Sequence, residues 1–409
     1  MDASALTTSG GTVAEYDLNG SGNLLSFGTT VNPITDQGIW CWFTAINALL
    51  QSGFAATWTN TRSTVTSALT TPLAPDSGKT VASLVEDATA TSTHLTTQTF
   101  AKSASALDYA FSIYIKANTR TRICLQADDG TGTNGAFAGF DIAGNQVAYG
   151  PTGLGTPFTS LTAEIQALGA TGWYRCILRF TSNTTTSVAC TVFLDNGAGT
   201  AAQSITYSGD GASGLFLWGV QCEQATTMRD ASPFLPTTTG TTSRGSRIIK
   251  NTLTGILTQL SQTRYTMYAQ CTPSLTNIAT GTLFAMSLDD ATNNNRVLFS
   301  RTNSTGACRI LMVTGGVTKI NSTQIGSATQ AQNVTGQWAL SVADGAQIAA
   351  YNGTTQALAG SGLPTFTQLT VGNQGGGSAA WCGPVKRIAL YNTNLTTAQL
   401  VDLTSASRG

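Results

Sequence analysis

The chain has 409 residues, of which 10% are charged, and its 20 basic residues balance 20 acidic ones. An ordinary globular protein carries about 25% charged residues, so this surface must be built largely from hydroxyls, amides and small side chains. Sparse, balanced charge excludes a nucleic-acid partner, which needs clustered Lys and Arg, and no apolar run approaches the roughly 20 residues of a membrane helix, so no membrane partner is expected.

Residues 1–37 are rich in Gly, Ser and Thr, with neither a basic segment nor an apolar core of the secretory type, so the chain is expected to be assembled in the cytoplasm of its host cell. This stretch reads as an N-terminal arm. Its few large apolar residues, Tyr16, Leu18, Leu24, Leu25 and Phe27, suit burial by a partner and make it the expected attachment or oligomer contact. From Gly38 the pattern changes to Ile39-Trp-Cys-Trp-Phe43, then Asn47-Ala-Leu-Leu50, Phe54 and Trp58-Thr59. Ala74-Pro-Asp-Ser-Gly78 is a turn. In Tyr109–Ala117, Phe111, Ile113 and Ile115 face one way and Ser112, Tyr114 and Lys116 the other, which is the alternation of a half-buried strand. In Gly172–Phe180, Tyr174, Cys176, Leu178 and Phe180 share a face and Arg175 and Arg179 take the other. Phe216, Trp218, Val220 and Cys222 are predicted to share a face of a closing strand, and Ser232-Pro-Phe-Leu-Pro-Thr-Thr-Thr-Gly240 ends it because prolines cannot continue a ladder. Residues 237–247 form the linker.

Leu215-Phe-Leu-Trp-Gly-Val-Gln-Cys-Glu223 followed by Ser232-Pro-Phe-Leu-Pro-Thr-Thr238 resembles the closing segment of carbohydrate-binding-like jelly-roll modules in phage tail and head-fibre proteins, and the resemblance spans about residues 38–242. It implies a virion-surface location, with other virion structural proteins, further copies of the chain as a homo-oligomer, and host-surface polysaccharide as partners. Past the linker, strands are predicted at Arg264–Cys271, Leu283–Leu288, Arg309–Val313 and Gln337–Val342, where Trp338, Leu340 and Val342 share a face. Asn352-Gly353 signals a tight hairpin. The segment from Cys382 to Leu403, with Thr396 and Gln399 spaced as a capping box, resembles the end of laminin-G-like, concanavalin-type domains over about 247–405. The expected fold is all-β: an arm over 1–37, then two tandem antiparallel β-sandwiches, jelly-roll over 38–242 and concanavalin-like over 243–409, with helix confined to about 396–403.

Catalytic chemistry finds few of its usual parts. The one histidine, His94, lies in a Thr- and Ser-rich run, and the four glutamates, Glu15, Glu86, Glu164 and Glu223, all precede the linker. A Ser or Cys hydrolase needs a base beside its nucleophile and most glycosidases need two placed carboxylates, so no catalytic residue is assigned and the chain is expected not to be an enzyme. The eight cysteines show no Cys-x-x-Cys spacing and read as buried free thiols. Trp173 and Trp218 read as core; Trp58, Trp381 and Tyr149 stand near turns.

Two loops carry the polar groups a ligand would use. Asp128, Asp129 and Asn134, with Phe137 beyond them, lie between strands of the first domain. Asp289, Asp290, Asn293 and Asn295 lie between strands of the second, where Trp381, preceded by the run 375–380, offers an aromatic platform. Such oxygens could hold Ca2+ or hydrogen-bond sugar hydroxyls, and the same residue types also serve plain turns. No other cofactor is expected. The expected function is a non-enzymatic fibre, spike or decoration subunit binding host-surface glycans. The alternatives are a purely structural capsid or tail component and a glycan depolymerase.

Overall fold

The computed structural model describes residues 7–9, 15–18, 24–27, 34–78, 80–197, 199, 205–225, 231–245, 248–252, 260–274, 281–374 and 381–405. The chain forms two compact units: Val13–Phe27 with Thr44–Arg244, called here the N-terminal sandwich, and Met1–Thr12 with Gly28–Phe43 and Gly245–Gly409, the C-terminal sandwich.

In the N-terminal sandwich a six-stranded antiparallel sheet runs Gln146–Leu154, Gly135–Asp141, Arg122–Asp128, Ser187–Asp195, Leu95–Ala101, Thr59–Thr61. The second sheet runs Thr159–Ala167, Trp173–Thr181, Asp108–Ala117, Gly214–Ala225, Ala45–Asn47, Thr242–Arg244, with Val81–Glu86 also paired to Gly214–Ala225. Phe111, Ile113 and Ile115 of one sheet meet Ile123, Leu125, Val192 and Leu194 of the other in a single core. Phe111, Ile113 and Ile115 thus share a face as expected, but the strand is not half-buried: Ser112 and Tyr114 on its other face are fully buried too, beneath Arg175 and Trp218.

The C-terminal sandwich is built from two seven-stranded sheets. One runs Thr7–Ser9, Ile248–Thr252, Gln368–Val371, Thr282–Asp289, Arg296–Thr302, Ala307–Thr314, Val317–Thr329; the other runs Thr354–Leu358, Ala346–Tyr351, Gly336–Ala343, Arg264–Cys271, Gly383–Tyr391, Gly38–Cys41, Ile34–Thr35. The two sandwiches share part of their strand order and differ in the rest: Thr159–Ala167 takes the sheet edge beside Trp173–Thr181, which pairs with Asp108–Ala117, whereas Gly336–Ala343 pairs with Arg264–Cys271 and Ala346–Tyr351 and Thr354–Leu358 follow outward. In each, the strand before the Asp-Asp loop lies between the strand after that loop and a late-arriving partner, and the strand just upstream of it pairs in the opposite sheet with the closing strand. Thr397–Thr404 is the one described helix, and Thr396 and Gln399 close the capping box over its first turn. Asn352 and Gly353 have φ of 46° and 81°, the left-handed pair that the hairpin between Ala346–Tyr351 and Thr354–Leu358 requires. All eight cysteines are free and buried.

Three further readings are corrected. Gly38–Cys41, placed by its sequence at the opening of the first domain, pairs with Gly383–Tyr391 of the C-terminal sandwich; its Ile and Trp residues serve a sheet edge equally well in either unit. The described pieces of the arm are strands rather than a free segment: Thr7–Ser9 pairs with Ile248–Thr252, and Glu15–Leu18 with Leu24–Phe27. Leu24 is buried among Val81, Tyr114, Trp173 and Trp218 of its own chain. Finally, the face shared by Phe216 and Trp218 is not that of Val220 and Cys222. A β-bulge opposite Ser112–Tyr114, with Gly219 at φ +60°, flips the strand. Leu215, Leu217, Val220 and Cys222 enter the core, while Trp218 packs outside it on Tyr114 and Phe234.

Candidate functional site

The two Asp-Asp loops are built to one plan. Asp129 Oδ1 accepts from the Thr131 backbone N–H (3.1 Å) and hydroxyl (2.5 Å), and Oδ2 from Asn134 Nδ2 (3.1 Å). Asp290 accepts from Thr292 N–H (2.9 Å), Thr292 Oγ1 (2.5 Å) and Asn295 Nδ2 (2.9 Å). The preceding aspartates are held as well: Asp128 by Gly130 N–H, Gly132 N–H and Gln126 Nε2, Asp289 by Ala291 N–H, Gln368 Nε2 and Thr370 Oγ1. Burial alone would raise the carboxyls of Asp129 and Asp290, but these hydrogen bonds hold both below the ordinary carboxylate range.

Most of these donors come from the carboxylate's own hairpin, but Asp289 also draws on Gln368 and Thr370 of a neighbouring strand and Asp129 on Asn183 Nδ2 (3.4 Å). Among the described residues no three His, Cys, Asp or Glu side chains converge on a possible metal position. In this structure the aspartate oxygens that the sequence offers to a ligand hydrogen-bond to groups of the protein itself.

The aromatic partners proposed for the loops are elsewhere. Phe137 is buried with Cys124, Phe193, Ile205 and Tyr207 on the face of the sheet opposite the core that takes Ala136 and Ala138. Trp381 is fully buried, edge-on to Trp338 at 6.5 Å, and has no face to offer a sugar ring. Asn293 is exposed and bonds Arg296. The run 375–380 lies outside the described residues.

The signature around Trp218 and Ser232 is a clamp on the chain leaving the closing strand. Glu223, fully buried, accepts from the Ser232 N–H (2.7 Å) and the Ser232 hydroxyl. Gln221 bonds Ser232 O (3.0 Å) and Leu235 N–H (2.9 Å), and Arg175 reaches Ala231 O, Ser232 O and Ser112 Oγ. Burial raises the Glu223 carboxyl, opposed by Arg244, Ser232 and Arg175. The arginine face of Trp173–Thr181 is accordingly interior: Arg175 is 5% and Arg179 1% exposed.

A second polar cluster gathers Glu86, which accepts from Arg120 Nε (3.0 Å) and NH2 (2.5 Å), the Tyr207 hydroxyl (2.7 Å) and Asp210 N–H (3.1 Å). His94 stacks at a tilt 4.7 Å from Tyr207, and its Nδ1 lies 2.6 Å from Arg62 O. A tyrosine beside a carboxylate can serve as a nucleophile when its proton is readily lost. Here burial first, and then the bond to Glu86, push the Tyr207 phenol up; burial does the same at Tyr149, which bonds Asp195. Both phenols stay protonated and act as donors.

A groove that the sequence reading missed lies at the edge of the six-stranded sheet. It encloses about 530 Å³ and is lined by Ala48, Leu50, Thr57, Thr59, Thr97, Gln98, Thr99, Phe100, Ala101 and Thr241. Thr59–Thr61 pairs with Leu95–Thr97 and stops there, so nothing described pairs with the edge of Thr99–Ala101. Gln98 takes over the missing strand's work by bonding Leu50 N–H (2.6 Å), Leu50 O (3.0 Å) and Thr57 Oγ1 (2.7 Å), which holds the 48–57 segment as the groove's wall. Lys102 N–H bonds Thr186 O and His94 O accepts from Leu194 N–H, so even-numbered residues of this strand turn their main chain toward Ser187–Asp195. The main-chain groups of Thr99 and Ala101 then face the groove. Phe100 packs partly on Tyr109 (5.6 Å). The signal in the sequence was the run Thr96-Thr-Gln-Thr-Phe100, whose alternate positions lack large apolar residues, but its partners Leu50 and Thr241 are far away in the chain.

No protein-family model matches the sequence, and no curated protein matches it significantly. Among solved structures, the chain is similar to the CBM40 module of the Ruminococcus gnavus IT-sialidase bound to α2,3-sialyllactose, with 13% identity, TM-score 0.32, and coverage of 38% of this chain and 91% of that one. It is also similar to a heptameric SAP-like pentraxin from Limulus polyphemus (16% identity, TM-score 0.27, 34% and 68% coverage). A Trypanosoma rangeli sialidase in complex with the inhibitor DANA matches at 10% identity and TM-score 0.28, over 79% of this chain and 60% of that one. At such overlap these likenesses carry no functional argument.

Proposed function

We propose that this chain is a non-enzymatic phage virion surface protein, a fibre, spike or decoration subunit, that binds host-surface glycans. The observation that carries the glycan reading is the groove beside Thr99: hydroxyls, an amide, main-chain groups of both polarities and a phenyl ring around about 530 Å³, within the roughly 300–1,000 Å³ usual for small-ligand sites. The phage setting rests on the resemblance of the Trp218–Thr238 signature and on the sparsely charged surface. A non-enzymatic role is favoured by the burial that keeps the Tyr207 and Tyr149 phenols protonated beside Glu86 and Asp195.

The second reading, a purely structural component, draws on the same signature, because Glu223, Gln221 and Arg175 use it to fix the chain's exit and not to present a surface. A glycan array probed with the full chain separates the two. Binding that is lost in Thr99→Val supports the first; a blank array supports the second. Incubation with host polysaccharide followed by a reducing-end assay tests for depolymerase activity, and released ends would overturn the non-enzymatic reading.

A further inference from the structure

Resting on the reading of the groove as a glycan site, we infer that it selects neutral sugars and rejects their acidic counterparts. A carboxylated or sulfated sugar brought out of water needs a fixed cation or a converging set of N–H donors. The groove's lining contains no Lys, Arg, His, Asp or Glu. Lys102, next in the chain to the lining residue Ala101, turns its ammonium to the carbonyls of Ser103, Ser105, Asn183 and Thr185 at 2.5–3.2 Å. Arg244, three residues past Thr241, is fully buried. Arg62 follows Thr61 at the end of the short strand that pairs with Leu95, away from Thr99 and Ala101.

What the groove does present suits hydroxyl groups. The hydroxyls of Thr59, Thr99 and Thr241 line an open groove at exposed positions, and each can donate and accept at once. On the strand edge every N–H of Thr99 and Ala101 is accompanied by a C=O on the same side. Those carbonyl dipoles satisfy a sugar hydroxyl's proton and repel an anion. Gln98 cannot compensate, because its amide N–H groups are spent on Leu50 O and Thr57 Oγ1.

The test uses the full chain on an array of matched pairs: neutral glucans, galactans, mannans and lactosamine chains, and the same chains bearing sialate, uronate or sulfate. The expected result is binding to at least one neutral chain, weakened tenfold or more by the added acid. Thr99→Val and, separately, Thr241→Ala should each reduce it with unchanged melting, and Thr99→Lys should reverse the preference. Equal or tighter binding of acidic chains, still lost in Thr99→Val, overturns the inference and leaves the glycan reading standing. Binding untouched by either groove variant overturns both placements. No binding to any chain removes the glycan reading, and the inference falls with it.

Discussion

The two sandwiches share the strand arrangement around an Asp-Asp hairpin, yet they are held together differently. Every described salt bridge lies in the N-terminal sandwich: Arg120–Glu86, Arg122–Asp141, Arg179–Glu164 and the His94–Asp87 contact. The C-terminal sandwich has no glutamate at all after Glu223. Its buried ions are met by neutral groups instead: Arg301 bonds Gln330 O and Asn303 Oδ1, and Asp289 accepts from Gln368 Nε2 and Thr370 Oγ1. Amides and hydroxyls serve one another as well: Gln330 bonds Cys271 O and Val334 O, Gln347 bonds Ala343 O and Gly360 O, and Tyr268 bonds Gln337. Two related sandwiches therefore use two kinds of internal polar bonding. The difference gives them unequal sensitivity to charge, because a buried ion that loses its partner is costly while a neutral amide titrates nowhere in the working range.

The sharpest break in the comparison is Arg175→Ala. It strips Ser232 O, Ala231 O and Ser112 Oγ of a donor and leaves the buried Glu223 with less positive charge beside it. A loss of about 3–5 kcal/mol is expected, measured by chemical denaturation. Hydrogen exchange should accelerate at 214–225 and 231–237 while Arg264–Cys271 and Gly336–Ala343 keep their protection. A change under about 1 kcal/mol would mean that the clamp behaves like a surface ion pair.

Acidification comes next. Asp87 is lowered by the Thr89 N–H and hydroxyl, and Asp210 by the Ser213 hydroxyl with the N–H groups of Ala212 and Ser213. Asp129 and Asp141 are lowered overall although burial opposes it; in the C-terminal sandwich only Asp290 behaves so among the described residues. A carboxyl with a depressed folded pKa stabilises the fold above its unfolded value, about 4, and that contribution is lost as pH falls through the folded value. Glu223 runs the other way: raised by burial, it destabilises the fold above about 4.3 and relieves that penalty on protonation. Four losses against one relief predict that the N-terminal sandwich loses amide protection first between about pH 4 and 2. Simultaneous loss in both units, followed by exchange mass spectrometry, would contradict the assignment.

The paired loops sharpen the comparison from the other side. Asp129→Ala and Asp290→Ala remove matching bonds to Thr131 and Asn134 or Thr292 and Asn295, and Asp129→Ala also removes the long bond from Asn183, so each should cost about 1–2 kcal/mol with Asp129→Ala costing slightly more, and with no loss of glycan binding in either. Binding abolished by one alone, with its fold intact, would return that loop to the ligand site.

Local order was readable from the sequence where one short pattern decides it. The alternation in Tyr109–Ala117, the Asn352-Gly353 turn and the Thr396–Gln399 box each depend on neighbours a few residues apart. What was misread depends on contacts remote in the chain. Gly219 flips the closing strand because Tyr114 and Phe234 receive Trp218 on the outer face. Gly38–Cys41 finds its partner some 340 positions away, at Gly383–Val385. Trp381 looked accessible beside a glycine run and is buried against Trp338. The groove unites residues from 48–59, 97–101 and 241, and spacing alone could not bring them together.

The smallest expected effect belongs to an element that only the C-terminal sandwich has among the described residues. Thr396 Oγ1 accepts from Gln399 N–H (3.3 Å) while Gln399 Oε1 accepts from Thr396 N–H (2.9 Å), and the helix buries Leu400 against Tyr268, Ala339 and Ala350. At the far end, Thr404 Oγ1 accepts from Gly353 N–H (3.0 Å), which ties the helix to the Asn352-Gly353 hairpin. Thr396→Ala removes one cap and should cost about 1 kcal/mol, read as faster exchange at 397–404 and at the hairpin, with the N-terminal sandwich unchanged. Since the cap involves no ionised group, the cost should be the same at pH 7 and pH 4. A cost that shrinks with acid would show that charge contributes to the C-terminal sandwich as well, and the contrast between the two units would have to be redrawn.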